Sequence, residues 1–191
     1  MKSTIRVSNY LMSLLTLILL LFICNTVTAQ KNQKKLRIGT FDSRVITIAY
    51  TRSEAFSNRM SEMQKEGEAD LQGSDSTRKV EAAYKMITFQ YRLHQQGFCT
   101  GSVSSIIEII KEKLPEVAKD AGVIAILSKW ELSYEDPSIE IVDLTMPIAN
   151  LFNPKGDFEK IAQEMGNEAP VPLEEFTVEE VIQMWKQFES R

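Results

Sequence analysis

The chain has 191 residues, and its 22 basic and 26 acidic side chains give a net charge of −4. That balance argues against a nucleic-acid or anionic-membrane binder, since either requires a basic patch. Its length beyond an amino-terminal leader suits one domain.

The leader is read from a basic start (Lys2, Arg6), an apolar run from Leu11 to Ile23 and the small or polar residues Asn25 to Ala29. This is the pattern of a secretory signal peptide, with cleavage expected after Ala29. The run falls short of the roughly twenty residues that span a membrane. Lipid attachment at Cys24 is disfavoured because Ile23 stands where a lipoprotein signal carries a small residue. The leader holds two basic residues and no acidic one, so the exported chain carries 20 basic and 26 acidic residues, a net of −6. It keeps one cysteine, Cys99, so no internal disulfide is available and the fold must rest on packing or oligomerisation.

After a polar opening, Leu36–Phe41 (LRIGTF) predicts a strand, with Asp42 and Ser43 as helix N-caps behind it. From Ile46 the period changes. Ile46, Ala49, Ser53, Phe56, Met60, Met63, Gly67 and Asp70 form a coiled-coil-like seam. An alternative is that the β-branched stretch Arg44–Tyr50 extends the strand. Gly73 to Ser76 breaks the pattern. A second helix follows with Val80, Tyr84, Ile87, Tyr91, His94 and Phe98 on its seam and Met86, Phe89 and Leu93 on a second apolar flank. Gly97 and Gly101 bracket a hinge. A third helix carries Val103, Ile107, Ile110, Leu114, Val117 and Ala121, with Pro115 bending it or starting a new turn.

Gly122–Thr145 is the most β-like stretch. It predicts strands near 123–134 and 139–143 joined as a hairpin through Glu135–Ser138. Thr145 then opens a short helix with Ile148, Leu151 and Phe152 on its apolar face, and Asp157 starts another that ends at Met165–Gly166. Asn167 to Pro172 is a linker. The last helix has a Thr177–Glu180 capping box and an apolar face of Val178, Val181, Ile182, Trp185 and Phe188. The expected class is α+β: a small antiparallel β body of three strands, a projecting helical hairpin over about 43–121, and carboxyl-terminal helices.

This order of elements resembles the Skp-type periplasmic chaperones, also called OmpH-like proteins. The matching pieces are Arg37–Asp42 (RIGTFD), Val117–Gly122 (VAKDAG), Leu132–Tyr134 and Ile141–Thr145 (IVDLT). The resemblance covers residues 30–152 and leaves 153–191 as a helical extension without a counterpart. It implies a periplasmic homotrimer whose strands assemble into a shared body and whose arms enclose unfolded outer-membrane or exported proteins without nucleotide. The arms depart from the family in being acidic, with Glu62, Glu66, Glu68, Asp70, Glu108, Glu112, Glu116 and Asp120. The alternative function is therefore a structural or adaptor protein of the cell envelope on the same scaffold, without client holding.

No catalytic constellation is expected. HExxH, GxSxG, a phosphate-binding glycine loop and paired CxxC are all absent from the sequence. His94 and Cys99, five apart, fit a seam histidine beside a turn residue better than a thiol–imidazole pair, and Glu62, Glu66 and Asp70 fit a solvated stripe. No metal, cofactor, nucleic acid or small-molecule substrate is called for. Met86, Phe89 and Leu93 are the candidate client-binding residues; methionine and flat rings repack readily against varied partners. Ile124, Ile126, Trp130 and Leu132 are the candidate assembly core, because each large side chain left exposed forgoes about 1.5–3 kcal/mol of burial. Trp185 and Phe188 are candidates for docking the last helix on a partner.

Overall fold

The computed structural model describes residues 35–72 and 75–175 and the two positions 183 and 186. The leader, the Thr177–Glu180 capping box, Trp185 and Phe188 lie outside those residues. Asp42 sets the first boundary. The strand β1 (Arg37–Phe41) stops there, and the Asp42 side chain accepts from Arg44 N to cap α1 (Ser43–Thr51). The β-branched RVITIAY stretch is therefore helix, and the alternative of a longer strand is set aside. Val45, Ile46, Ala49 and Tyr50 are all buried in the core along with Ser43, Arg44 and Thr47. Burial on nearly every side of α1 outweighs the weak local preference of β-branched residues for strand.

The seam expected to run unbroken from Ile46 to Asp70 is interrupted at Arg52–Ser53. Ser53 Oγ accepts from Phe56 N at 3.2 Å and starts α2 (Glu54–Gln72), while Arg52 pairs with Asp157 at 2.8 Å and its carbonyl accepts from Lys155 N. A serine that can cap competes with continuing the helix. Beyond residues 73–74, α3 (Ser76–Phe98) runs back, capped by Asp75, and packs on α2 along its outer part and on α1 along its inner part. Edge-to-face contacts link Tyr50 to Phe56 and to Phe152, and Phe56 stacks on Phe89 at 6.3 Å, tying the foot of this two-helix arm to the body.

The hinge between Gly97 and Gly101 is a closed turn. Gly101 N donates to Gln95 O and Gln96 Nε2 to Ser102 O at 2.7 Å. A Cβ at Gly101 would sit 2.9 Å from Gln95 O, closer than real Cβ atoms come to backbone oxygen. The expected third helix is split into α4 (Ser104–Ile107), a 3-10 stretch over Glu108–Lys113 and α5 (Leu114–Ala121). Pro115 begins a new helix rather than bending an old one, because its missing N–H is harmless in a first turn. Gly122 takes φ +64 to end α5.

Three short strands make one sheet in the order β2-β1-β3, with β2 (Ala125–Ser128) and β3 (Glu140–Asp143) both parallel to β1. The mixed helix-and-sheet class holds, but the antiparallel body and the 123–143 hairpin do not. Alternation and β-branching mark strands without fixing their direction. The turn at Glu135–Ser138 does form, with Ser138 N on Asp136 Oδ1 at 2.8 Å. It lies inside a crossover from Lys129 to Ile139 that carries the chain past β1 to its other side. The second strand ends at Ser128, six residues short of Tyr134, so Trp130 and Leu132 belong to the crossover.

One face of the sheet carries the core. Gly39 stands in register with Ile126 and Val142, and a Cβ on Gly39 would overlap Leu144. Ile38, Leu127 and Ile141 point to the opposite face and stay outside the core cluster. After β3 come α6 (Thr145–Ala149), a 3-10 turn over Asn150–Phe152 and α7 (Phe158–Asn167). Phe158 and Ala162 of α7 are buried against α1, so the body continues past Phe152 and takes in the first part of the 153–191 extension. Among the described residues no helix is long and apolar enough to cross a membrane.

Candidate functional site

In parallel sheets, ligands gather at the carboxyl ends of the strands. Here those ends bring Asp42, Ser128, Lys129, Trp130 and Thr145 together from three separate segments. Asp42 is 2 % exposed and takes five donors. Its Oδ1 accepts from Arg44 N at 3.0 Å, Arg44 Nε at 3.1 Å and Trp130 Nε1 at 3.3 Å. Its Oδ2 accepts from Arg44 Nη2 and Lys129 Nζ, both at 2.8 Å. Burial alone would lift this carboxyl, but the hydrogen bonds from Arg44 and Lys129, helped by the Arg44 charge, hold it below its usual 3.8.

The two cations are themselves placed. Arg44 donates to the carbonyls of Glu168 and Met165, both at 3.0 Å, which closes the end of α7, and lies 5.0 Å over the Trp130 ring. Lys129 Nζ lies 4.5 Å over the same ring. Thr145 Oγ1 accepts from Asp42 N at 3.0 Å, joining α6 to the end of β1. With both Asp42 oxygens taken and Arg44 donating at both Nη atoms, the buried part of this cluster is internally paired, and only the partly exposed Lys129 ammonium keeps N–H groups for solvent. It locks strands to helices. The one polar atom here without a partner is Ser43 Oγ, which is buried.

An open hollow of about 520 Å³ lies at the turn lined by Asn150, Asn153, Asp157 and Lys160, and two further grooves lie on the arm. A groove of about 340 Å³ is lined by Arg59, Met63, Glu66, Tyr84, Lys85, Thr88, Phe89 and Arg92. A second, of about 310 Å³, shares Arg59, Phe89 and Arg92 and reaches Tyr50, Leu93, Gln96, Ser105, Ile106 and Ile109 at the foot. The two therefore meet along α3. Tyr84 is 67 % and Val80 60 % exposed, which corrects their placement on the packed seam. The seam of α3 is rotated: Ile87 is buried as expected, but Ala82, Ala83, Gln96 and Gly97 are buried with it in place of Val80 and Tyr84. Small alanines let α2 and α3 approach, and the larger Val80 and Tyr84 are turned outward.

Of the three candidate client-binding residues, all are half-buried. Phe89 presents one ring face to Phe56 and lines both grooves; Leu93 packs against the core and lines the inner groove; Met86 lines a smaller dip with Met63, Glu66 and Gly67. Sequence reasoning did not single out Arg59 and Arg92, and it favoured packing along the seam for Tyr84 over an exposed client surface. The available signal was Lys85, Phe89 and Arg92, which follow one another at four and three residues on one helix face. Among the candidate assembly residues, Ile124 is 69 % exposed, Ile126 faces the core, Trp130 is held in the Asp42 cluster and Leu132 is half-buried. His94 meets the Phe98 ring edge-on at 5.7 Å and Cys99 is fully buried. Among the described residues no three His, Cys, Asp or Glu side chains gather as a metal site.

No family model, curated protein or solved structure matches this chain.

Proposed function

We propose that the protein is an exported binding protein of the holding type, a chaperone or assembly factor that retains unfolded envelope proteins without nucleotide. One observation carries the reading: an apolar-floored groove, walled by arginine and lysine, runs along an arm that stands on a closed body. Met63, Tyr84 and Phe89 give it an adaptable floor, and Arg59, Lys85 and Arg92 favour acidic segments of a client. The saturated Asp42 cluster supports a scaffold role for the body. A leader of signal-peptide character supports export to the periplasm. Exposed Leu36 and Ile124, with Ile38, Leu127 and Ile141 outside the core, support self-association through the sheet, and a trimer is the expected solution mass. The test is aggregation of an unfolded outer-membrane protein in the presence of the mature chain. Suppression is expected near stoichiometric amounts; none at several-fold excess would refute client holding and favour the adaptor reading.

A further inference from the structure

The inner arm groove differs from the outer one in charge. Tyr50 of α1, Arg59 of α2, Arg92 of α3 and Ser105 of α4 converge on its space of about 310 Å³. No described Asp or Glu lines it, whereas Glu66 lines the outer groove. Phe89, Leu93 and Ile109 make its walls apolar, and Phe89, Arg92 and Leu93 share one face of α3 at spacings of three and four residues. Among the described residues Arg92 has no ion pair, and Arg59 has a single long, exposed contact to Glu62 at 3.9 Å. Burial pushes the Tyr50 phenol up while the Arg59 charge pulls it down, so the hydroxyl stays protonated at neutral pH within the field of that guanidinium. Tyr50, Gln96 and Ile106 are buried, so the body end of the groove is backed by the core. Its other end meets the outer groove at Arg59, Phe89 and Arg92.

We propose that the inner groove takes the terminal carboxylate of a held polypeptide whose last residue is apolar, with the rest of that chain lying outward along α3. This grip rests on the holding function and adds a direction to it: the carboxyl end sits at the body, clear of Glu66. Planar guanidinium groups pair with a carboxylate through two parallel N–H···O bonds, and the Tyr50 and Ser105 hydroxyls are further donors. The last side chain then meets Phe89, Leu93 and Ile109. An internal Asp or Glu carries the same charge but brings chain on both sides of it. A groove backed by the core suits an end better than a loop.

Fluorescence anisotropy on the full mature chain tests this. The probe is a short peptide with no charged side chain, leucine as its last residue and a dye at its amino end. With a free terminus it should bind about tenfold more tightly than the same peptide amidated. Arg59→Gln with Arg92→Gln should bring the free acid down to the affinity of the amide and leave the amide unchanged, which a merely damaged groove would not do. Both arginines are exposed, so the melting temperature should hold. Should it fall, Arg92→Gln alone asks the same question with a smaller loss, about threefold. Equal affinity of acid and amide overturns the proposal. So does a preference for the acid that survives loss of both arginines, or an amidated peptide with an internal aspartate that binds as tightly as the free acid. Aggregation of an unfolded outer-membrane protein is measured alongside. Suppression that persists while acid and amide bind alike removes the terminal grip and leaves holding; failed suppression removes holding itself.

Discussion

The carboxyl edge of the sheet and the groove on the arm hold similar residues and use them in opposite ways. At the edge, Arg44, Lys129 and Trp130 close on one buried carboxylate, and among the described residues Ser43 Oγ is the buried side-chain atom there without a partner. On the arm, Lys85, Arg92 and Tyr84 line open space beside Arg59, which has only a long, exposed contact to Glu62 at 3.9 Å. Cations and aromatics therefore do not mark a binding site by themselves. What distinguishes the two regions is whether the side chains already have partners. A saturated cluster contributes cohesion, whereas an unsaturated one is available to something that arrives later.

The largest expected effect breaks the closed region. Asp42→Ala leaves Arg44 and Lys129 without their shared counter-ion and removes the α1 cap, and loss of one partner of a buried pair costs about 3–5 kcal/mol. Urea unfolding should show a loss of unfolding free energy of that size; a change under about 1 kcal/mol would mean the cluster is not the lock described. The same carboxylate gives a pH signature. Its folded-state pKa lies below 3.8, so its contribution is fully present above that value and is lost as pH falls through the lower folded value. Wild type should lose stability over that acid range, and Asp42→Asn should have a flatter profile there.

Gly39→Ala comes next. The new methyl overlaps Leu144 and presses Val123 Cγ2 at 3.3 Å, and overpacking of this kind costs about 1–3 kcal/mol. Thermal melts would read it, and an unchanged melting temperature would show that β1 and α6 can move apart. On the open side, Tyr84→Glu should alter stability by less than about 0.5 kcal/mol, as exposed substitutions do, while weakening suppression of client aggregation several-fold. Equal losses of stability and suppression would merge the two regions and remove the contrast. Ser43→Ala is the smallest effect. It removes a buried hydroxyl without a partner, so stability should be unchanged or slightly raised.

Much of the body could be read from local chemistry. Leu36–Phe41, the Asp42 cap, the Asp75 cap and the breaks at Gly97–Gly101 and Pro115 appear where their residue types place them, because turns, caps and proline act within a few residues. Strand direction could not be read, because Ile139 and Ile141 alternate in the same way whether β3 runs with or against its neighbour. Nor could the pairing of Asp42 with Lys129 and Trp130, which are more than eighty residues away and carry no spacing that announces it. The seam of α3 was misjudged by the width of one residue, because Ala82 and Ala83 compete with Val80 and Tyr84 for the interface and small side chains permit closer helices. The groove followed from that rotation, so Tyr84 emerged as a groove residue only once the helices were packed.

The most direct measurement of the central contrast is hydrogen exchange of the mature chain with and without an unfolded outer-membrane protein. Binding at the groove should slow exchange in α2 and α3 around Arg59–Met63 and Tyr84–Leu93 and leave β1, Asp42 and Lys129–Trp130 unchanged. Slowing confined to the carboxyl edge of the sheet, or none anywhere with client in excess, would contradict it.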